Sequence, residues 1–519
     1  AKSWDAGADA CKNPPPCSEV ERPKSNLTLA TKIQAEPFNS TQPIQANPTQ
    51  RRLIRLSSFH VTQRLGRSGV ESSLGKLGVV MLLKNSRRSS VTSFVLLSFV
   101  LLSFSGCSQP ISPPLAGETP ASPSKPKPDP PTFEVAADDL LMQRLGPEES
   151  QQGWVRLFDG HSLFGWEMAS EANWRVEDNS ILVDSGDVGL LCTSVAWADF
   201  ELKLEFMADA ETNSGIFLRT PLEPADPGLD CYEVNIAPPS NPFPTGSIVK
   251  RARVEVGKPG DSKTLSPDVW HTYEMSMLGG ELTLKVDGTQ TVQYRDPKPL
   301  SAGRIGLQFN SGKVAFREIK ARPLGLKSLV DKELAQWKKF PEKPGEFVIN
   351  EDGDLRVTGG RGQIESNSSY ANLVALIEAK TQSEKLNSGL FFRCVEGSNM
   401  DGYECQIHHG IVAGNPLKPV DCGTGGVFRR QDARIVAAND GEWFSMLLVA
   451  DGLQIAAWVN GLQVTDWKDL RKPDPNPRNG SRTEAGSLML QAHDPTTDLL
   501  FRKIDASELV PSVTIQGED

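Results

Sequence analysis

The sequence predicts an all-β protein built from two copies of one sandwich or jelly-roll domain. Three observations carry this: a duplicated string of motifs, apolar–polar alternation with a period of two, and turn dipeptides between short apolar runs. Asn213-Ser214-Gly215-Ile216-Phe217-Leu218-Arg219 returns as Asn387-Ser388-Gly389-Leu390-Phe391-Phe392-Arg393. A Tyr-Glu strand follows each: Tyr232-Glu233-Val234-Asn235-Ile236, then Tyr403-Glu404-Cys405-Gln406-Ile407. Thr245-Gly246 matches Thr424-Gly425, Trp270 matches Trp443, and Asp287-Gly288 matches Asn460-Gly461. Gly306-Leu307-Gln308 matches Leu488 to Gln491, and Phe316-Arg317 matches Phe501-Arg502. A repeat spaced by the length of a domain means duplicated domains rather than a solenoid.

Each element follows from local pattern. Phe200 to Phe206 alternates apolar and charged residues, so one face is buried and one is wet. Glu281 to Val286 alternates likewise and ends in Asp287-Gly288, a hairpin turn. Leu453 to Val459 ends in Asn460-Gly461 in the same way. Leu329 to Lys339, between the copies, is the one stretch expected to be helical.

The first third carries no such pattern. Residues 1–80 are rich in Ser, Pro, Asn, Gln and Arg and read as disordered or as a mis-annotated extension. Residues 81–107 read as a secretory signal. Met81 opens it, Lys84, Arg87 and Arg88 form a basic region, and Val91 to Phe104 is apolar but too short to span a bilayer. Phe104-Ser105-Gly106-Cys107 resembles a bacterial lipobox, which makes Cys107 the expected lipidation site and membrane anchor. The expected location is the periplasm or outer membrane. Residues 108–150 read as a Pro/Ser-rich linker and residues 509–519 as a tail.

The net charge of −10 argues against a nucleic-acid partner. No CxxC pair, Walker motif or GxSxG motif occurs in the globular part. Export permits disulfides, with Cys405–Cys422 and then Cys192–Cys231 as the pairs to expect. A divalent metal is conceivable from the His, Asp and Glu content, but no spacing is diagnostic of one.

Trp154 to Trp166 contains Leu157-Phe158-Asp159-Gly160 and Leu163-Phe164-Gly165-Trp166. This resembles the opening of the 3-keto-disaccharide hydrolase domain family, and the later motifs fit it in order. Residues 151–323 resemble one such domain. Residues 324–508 resemble a second, in which only Trp337 survives from the opening. The resemblance implies two tandem concanavalin A-like jelly-roll sandwiches after a disordered N-terminal region. It also implies a carbohydrate substrate, cleaved beside a C3 ketone by hydrolysis or by C1–C2 elimination. That chemistry needs a base near neutrality, a donor for the enolate oxygen and an acid for the leaving group.

The residues the resemblance places on the ligand face are Arg219, Glu233, Asn235, Lys250 and Gln308 in the first copy. In the second they are Arg393, Glu404, Gln406, His408, Arg429, Gln491 and His493. Alternation puts Glu404, Gln406 and His408 on one strand face and Tyr403, Cys405 and Ile407 on the other. His493 or Glu404 is the expected base and Arg393 the expected enolate donor. The competing reading pairs Arg219 with Glu233 and Arg393 with Glu404 as buried ion pairs. His161 and His271 read as structural. The second copy keeps imidazoles where the first has Ala237 and Asn310, so it is the favoured catalytic copy. A non-catalytic carbohydrate-binding or surface-interaction protein is the alternative function on this fold.

Overall fold

The computed structural model describes residues 135–254 and 265–512. The extension, the signal and Cys107 lie outside the described residues. The rest is nearly all antiparallel strand, arranged as two rolls of two sheets each.

In the first roll an eight-stranded sheet runs in the order Thr289–Arg295, Glu281–Val286, His271–Leu278, Phe200–Ala208, Val314–Pro323, Ser180–Val183, Arg175–Glu177; Val155–Arg156 also pairs with Val314–Pro323. A five-stranded sheet faces it, in the order Trp166–Met168, Gly189–Thr193, Arg304–Ser311, Asn213–Thr220, Tyr232–Ile236. The second roll repeats both orders. Its eight-stranded sheet runs Leu462–Lys468, Gln454–Val459, Trp443–Asp451, Leu373–Thr381, Asp498–Glu508, Leu355–Thr358, Glu346–Ile349, with Lys327–Ser328 on Asp498–Glu508. Its five-stranded sheet runs Trp337–Lys339, Gly362–Tyr370, Gly486–Ala492, Ser388–Cys394, Tyr403–Ile407. The two halves therefore share one topology. The apolar halves of the alternating strands meet between the sheets: Leu202, Leu204, Ile216, Leu218, Tyr232 and Val234 in the first roll, Ile377, Leu390, Phe392, Tyr403 and Cys405 in the second.

The stretch Leu329–Lys339 is not a helix. It is a turn and a short strand, with Leu334 at φ +53°. Leu329, Leu334 and Trp337 are drawn into the second core, and Trp337 Nε1 donates to Leu329 O at 2.7 Å. Trp166 Nε1 donates to Leu157 O at 2.6 Å, so the two openings share one geometry after their sequences have diverged. Asp159 and Asp331 both accept backbone N–H groups in that turn.

The expected disulfides are absent: Cys192, Cys231, Cys394, Cys405 and Cys422 are free thiols. Cys405 is buried in the core beside Met446, whereas the Cys422 sulfur sits in a turn and accepts from Arg429 N, so the two sulfurs have different surroundings.

The rolls pack on one another. Val374, Leu376, Leu447, Val449, Ala456 and Trp458 of the second roll join the core cluster of the first. Trp197 and Trp458 meet edge to face at 6.1 Å, and Trp458 Nε1 donates to Arg156 O at 3.0 Å. Ser194 donates to Asp466 at 2.6 Å, and Arg434 pairs with Asp159 at 2.8 Å. Helices Ala137–Met142 and Pro147–Gln151, at the end of the expected linker, belong to this assembly. Leu140 enters the second core, and Leu145 N donates to Asn460 O.

Candidate functional site

The outer face of each five-stranded sheet carries buried polar side chains beside a small apolar cluster: Leu190, Cys192, Phe217 and Cys231 in the first roll, Phe391, Cys394 and Met489 in the second. In the first roll Leu190, Gln308, Gly215 and Asn235 lie side by side across four strands. Glu233 lies one step along the edge strand and is only 7 % exposed. In the second roll Gln363, Gln491, Gly389 and Gln406 form the same row, with Glu404 beside it at 5 % exposure. Gln363 and Glu365 replace Leu190 and Cys192, which makes the second floor the more polar one.

The glycine of each repeat has a geometric reason. A Cβ on Gly389 would stand 2.8 Å from Glu404 Cγ and 3.0 Å from its Oε1. On Gly215 it would stand 3.3 Å from Glu233 Cγ. The bare backbone lets each carboxyl lie flat across its neighbour strand. Burial then pushes both carboxyls up, from the usual 4.5 to about 7. Lys250 opposes this at Glu233 and Arg478 opposes it at Glu404.

The arginines of the repeated motif are elsewhere. Arg219 and Arg393 sit at φ +51° and +50°, each beside a register shift in its strand. The bulge breaks the alternation and turns both side chains away from the carboxyls. Arg219 donates to Ala198 O, Gly279 O and Leu300 O and pairs with Asp199 at 2.8 Å. Arg393 donates to Ala371 O, Gly452 O and Arg482 O, with Asn372 in place of the aspartate. Neither the expected Glu233 and Glu404 ion pairs nor the enolate role of Arg393 fits this. Both arginines are clamps that satisfy carbonyls at one end of the roll.

Arg478 takes the place that Arg393 was expected to fill. Its Nη2 is 3.3 Å from Glu404 Oε2, and it lies over the rings of Phe391 and Phe428. It comes from the loop Asp469 to Ala485, which is much longer than its counterpart Asp296 to Gly303. Arg471 pins that loop by donating to Pro477 O and Gly480 O. The length mismatch between the copies was the sequence signal for it.

Around Glu404, Asn387 and Gln406 both donate to Asp421. Gln406 Oε1, Gln491 Oε1 and Gln363 Oε1 are buried and have no protein partner; in the first roll the same holds for Asn235 Oδ1 and Gln308 Oε1. His408 is on the Glu404 face, as alternation requires. Its Nδ1 accepts from Gly410 N, and burial lowers its pKa. His409 is buried against Phe444 and is pushed down to about 4. His493 stands at the rim, half-exposed and paired with Asp494 at 2.9 Å. Lys250 is exposed and paired with Asp226 at 2.9 Å; Arg429 is exposed over Phe428. His271 bonds Asp287 and Ser266 O and is structural, as expected. His161 is within reach of Gln143. A cleft lined by Phe206, Thr212, Ile236, Thr245 and His271 includes none of the residues expected to bind sugar. Among the described residues no group of three or more His, Cys, Asp or Glu side chains is placed to hold a metal ion.

The 3-keto-alpha-glucoside-1,2-lyase-like domain model matches the chain twice, over residues 153–322 and 325–506. The chain belongs to this family. Its two rolls are thus two family domains with a carbohydrate-related role. Among solved structures, a Parabacteroides distasonis protein described as a glycosyl hydrolase is similar at 19 % identity and a TM-score of 0.31, covering 35 % of this chain and 99 % of that one. A carbohydrate-binding module from Bacillus subtilis is similar at 13 % identity and a TM-score of 0.24, covering 30 % and 95 %. No curated protein matches the chain.

Proposed function

We propose that the second roll cleaves glycosides oxidised at C3, with Glu404 as the base. The observation that supports this most is the Glu404 carboxyl itself: buried, raised to about 7, and flanked by amide oxygens that lack protein partners. A base of that strength is matched to a C2 hydrogen acidified by a neighbouring ketone. Glu404 takes the C2 proton and the electron pair moves onto the C3 oxygen. As the enolate collapses, the C1–O bond breaks and the leaving oxygen takes a proton. The product is a 2-hydroxy-3-keto-glucal, or the free 3-keto sugar once water adds. Arg478 is the cation nearest Glu404 and replaces Arg393 as the enolate donor; His493, at the rim, is the proton donor to the leaving group. Gln406 and Gln491 bind sugar hydroxyls. The first roll offers Glu233, Asn235 and Gln308 in the same places. Lys250 is held by Asp226, which favours binding there over turnover.

Turnover of a 3-keto-glucoside and of its unoxidised parent tests the reading. Wild type should cleave only the first, and Glu404→Gln should lose roughly 10²–10⁴ in rate. Wild-type rates for a folded Glu404→Gln variant refute it. We also propose that the chain is exported and lipid-anchored at Cys107, on the strength of Lys84 to Cys107 alone. An unmodified Cys107 in the mature protein by mass spectrometry refutes that.

A further inference from the structure

The two rolls treat their rim cations differently. At matching positions the first roll has Lys250 and Arg251, and each has a carboxylate. Lys250 pairs with Asp226 at 2.9 Å and Arg251 with Asp296 at 3.1 Å. The second roll has Arg429 and Arg430, and neither is paired with a described carboxylate. The Arg429 guanidinium lies over the Phe428 ring. Arg430 donates to the backbone oxygens of Arg429 and Arg478, and the Arg478 charge acts on it.

The neighbouring acids have other partners, and Asp432 lies against the Cys422 thiol. Asp469 is held by Arg471 and by the Tyr403 hydroxyl. Asp421 accepts from Asn387 and Gln406, and Glu484 lies out at Arg482. Phe428 N donates to Glu404 O, so this cationic rim runs along the strand that carries the base. Burial and the repulsion of Arg471, Arg478 and Arg429 lower the Arg430 pKa, in keeping with an excess of positive charge.

We infer that the second roll takes an anionic sugar, one bearing a carboxylate or a sulfate ester, with Arg429 and Arg430 binding the anion while Gln406 and Gln491 bind hydroxyls. Guanidinium forks suit planar or tetrahedral oxyanions, and unneutralised arginines beside amides whose oxygens lack a protein partner give such a ligand both charge and hydrogen bonds. The inference rests on the second roll being the sugar site and adds the substrate's charge to it.

Equilibrium binding to the full chain, read without turnover, tests it with three probes: methyl β-glucuronide, methyl β-glucoside 6-sulfate and neutral methyl β-glucoside. One anionic probe should bind at least about tenfold more tightly than the neutral one at low salt, the preference shrinking as salt rises. Which of the two anions wins identifies the substituent. Arg429→Gln should weaken that preference, Arg429→Lys should restore part of it, and Arg429→Gln/Arg430→Gln should erase it. Equal binding of charged and neutral probes, no binding of any, or a preference that survives the double substitution overturns the inference. Glu404→Gln separates the two ideas: if it loses turnover while wild type shows no anion preference, the base assignment stands and the anionic substrate falls.

Discussion

Glu404→Gln should make the protein more stable at high pH while removing its activity. In the folded chain burial holds the carboxyl's pKa at about 7; unfolded, the group reverts to the usual 4.5. Between those values the folded state binds more protons than the unfolded one. Stability is therefore fully present below about 4.5 and is lost as pH rises through about 7. At 1.36 kcal/mol per unit, the full penalty above that window is about 3 kcal/mol. Glutamine has the same shape and no charge to bury, so it escapes the penalty. Urea unfolding followed by tryptophan fluorescence at pH 5 and pH 8.5 measures this. The variant should nearly match wild type at pH 5 and exceed it by about 2–3 kcal/mol at pH 8.5. A difference that is the same at both pH values, or a variant less stable at pH 8.5, refutes the burial argument. Glu233→Gln should behave with the same sign, because its carboxyl is raised for the same reason.

Other outcomes follow from the same geometry. Arg393→Met should cost about 3 kcal/mol or more in unfolding free energy, because three carbonyls lose their donor in a buried site. Gly389→Ala should fold with a loss of about 1–3 kcal/mol and lose most activity, since its Cβ displaces the Glu404 carboxyl; a crystal structure and turnover check both halves. Trp458→Ala should cost about 3–5 kcal/mol in unfolding free energy, read by urea denaturation, because it opens the seam between the rolls.

The sandwich was legible because alternation is a local property. Tyr403, Cys405 and Ile407 went to the core and Glu404, Gln406 and His408 to the other face, as period two dictates. Arg219 and Arg393 were misread for the opposite reason. One left-handed residue in each strand reverses the parity, and Arg is not a residue that announces a positive φ. Strand Leu373–Thr381 lacks the alternation of Phe200–Ala208 because both its faces are buried, the outer one by the first roll. The missing alternation was visible in the sequence; its partner was not. Arg478 had no counterpart in the first copy, so reading by duplication passed over it.

The central claim is that Glu404 removes the C2 proton. The most direct measurement is hydrogen exchange at C2 of a 3-keto-glucoside in deuterated water, followed by NMR, together with release of the aglycone. Wild type and Glu233→Gln should wash deuterium into C2 or eliminate the leaving group, with a rate that rises as pH passes through about 7. Glu404→Gln should do neither. Exchange at wild-type rates in Glu404→Gln, or loss of exchange in Glu233→Gln alone, contradicts the account and moves the chemistry to the first roll.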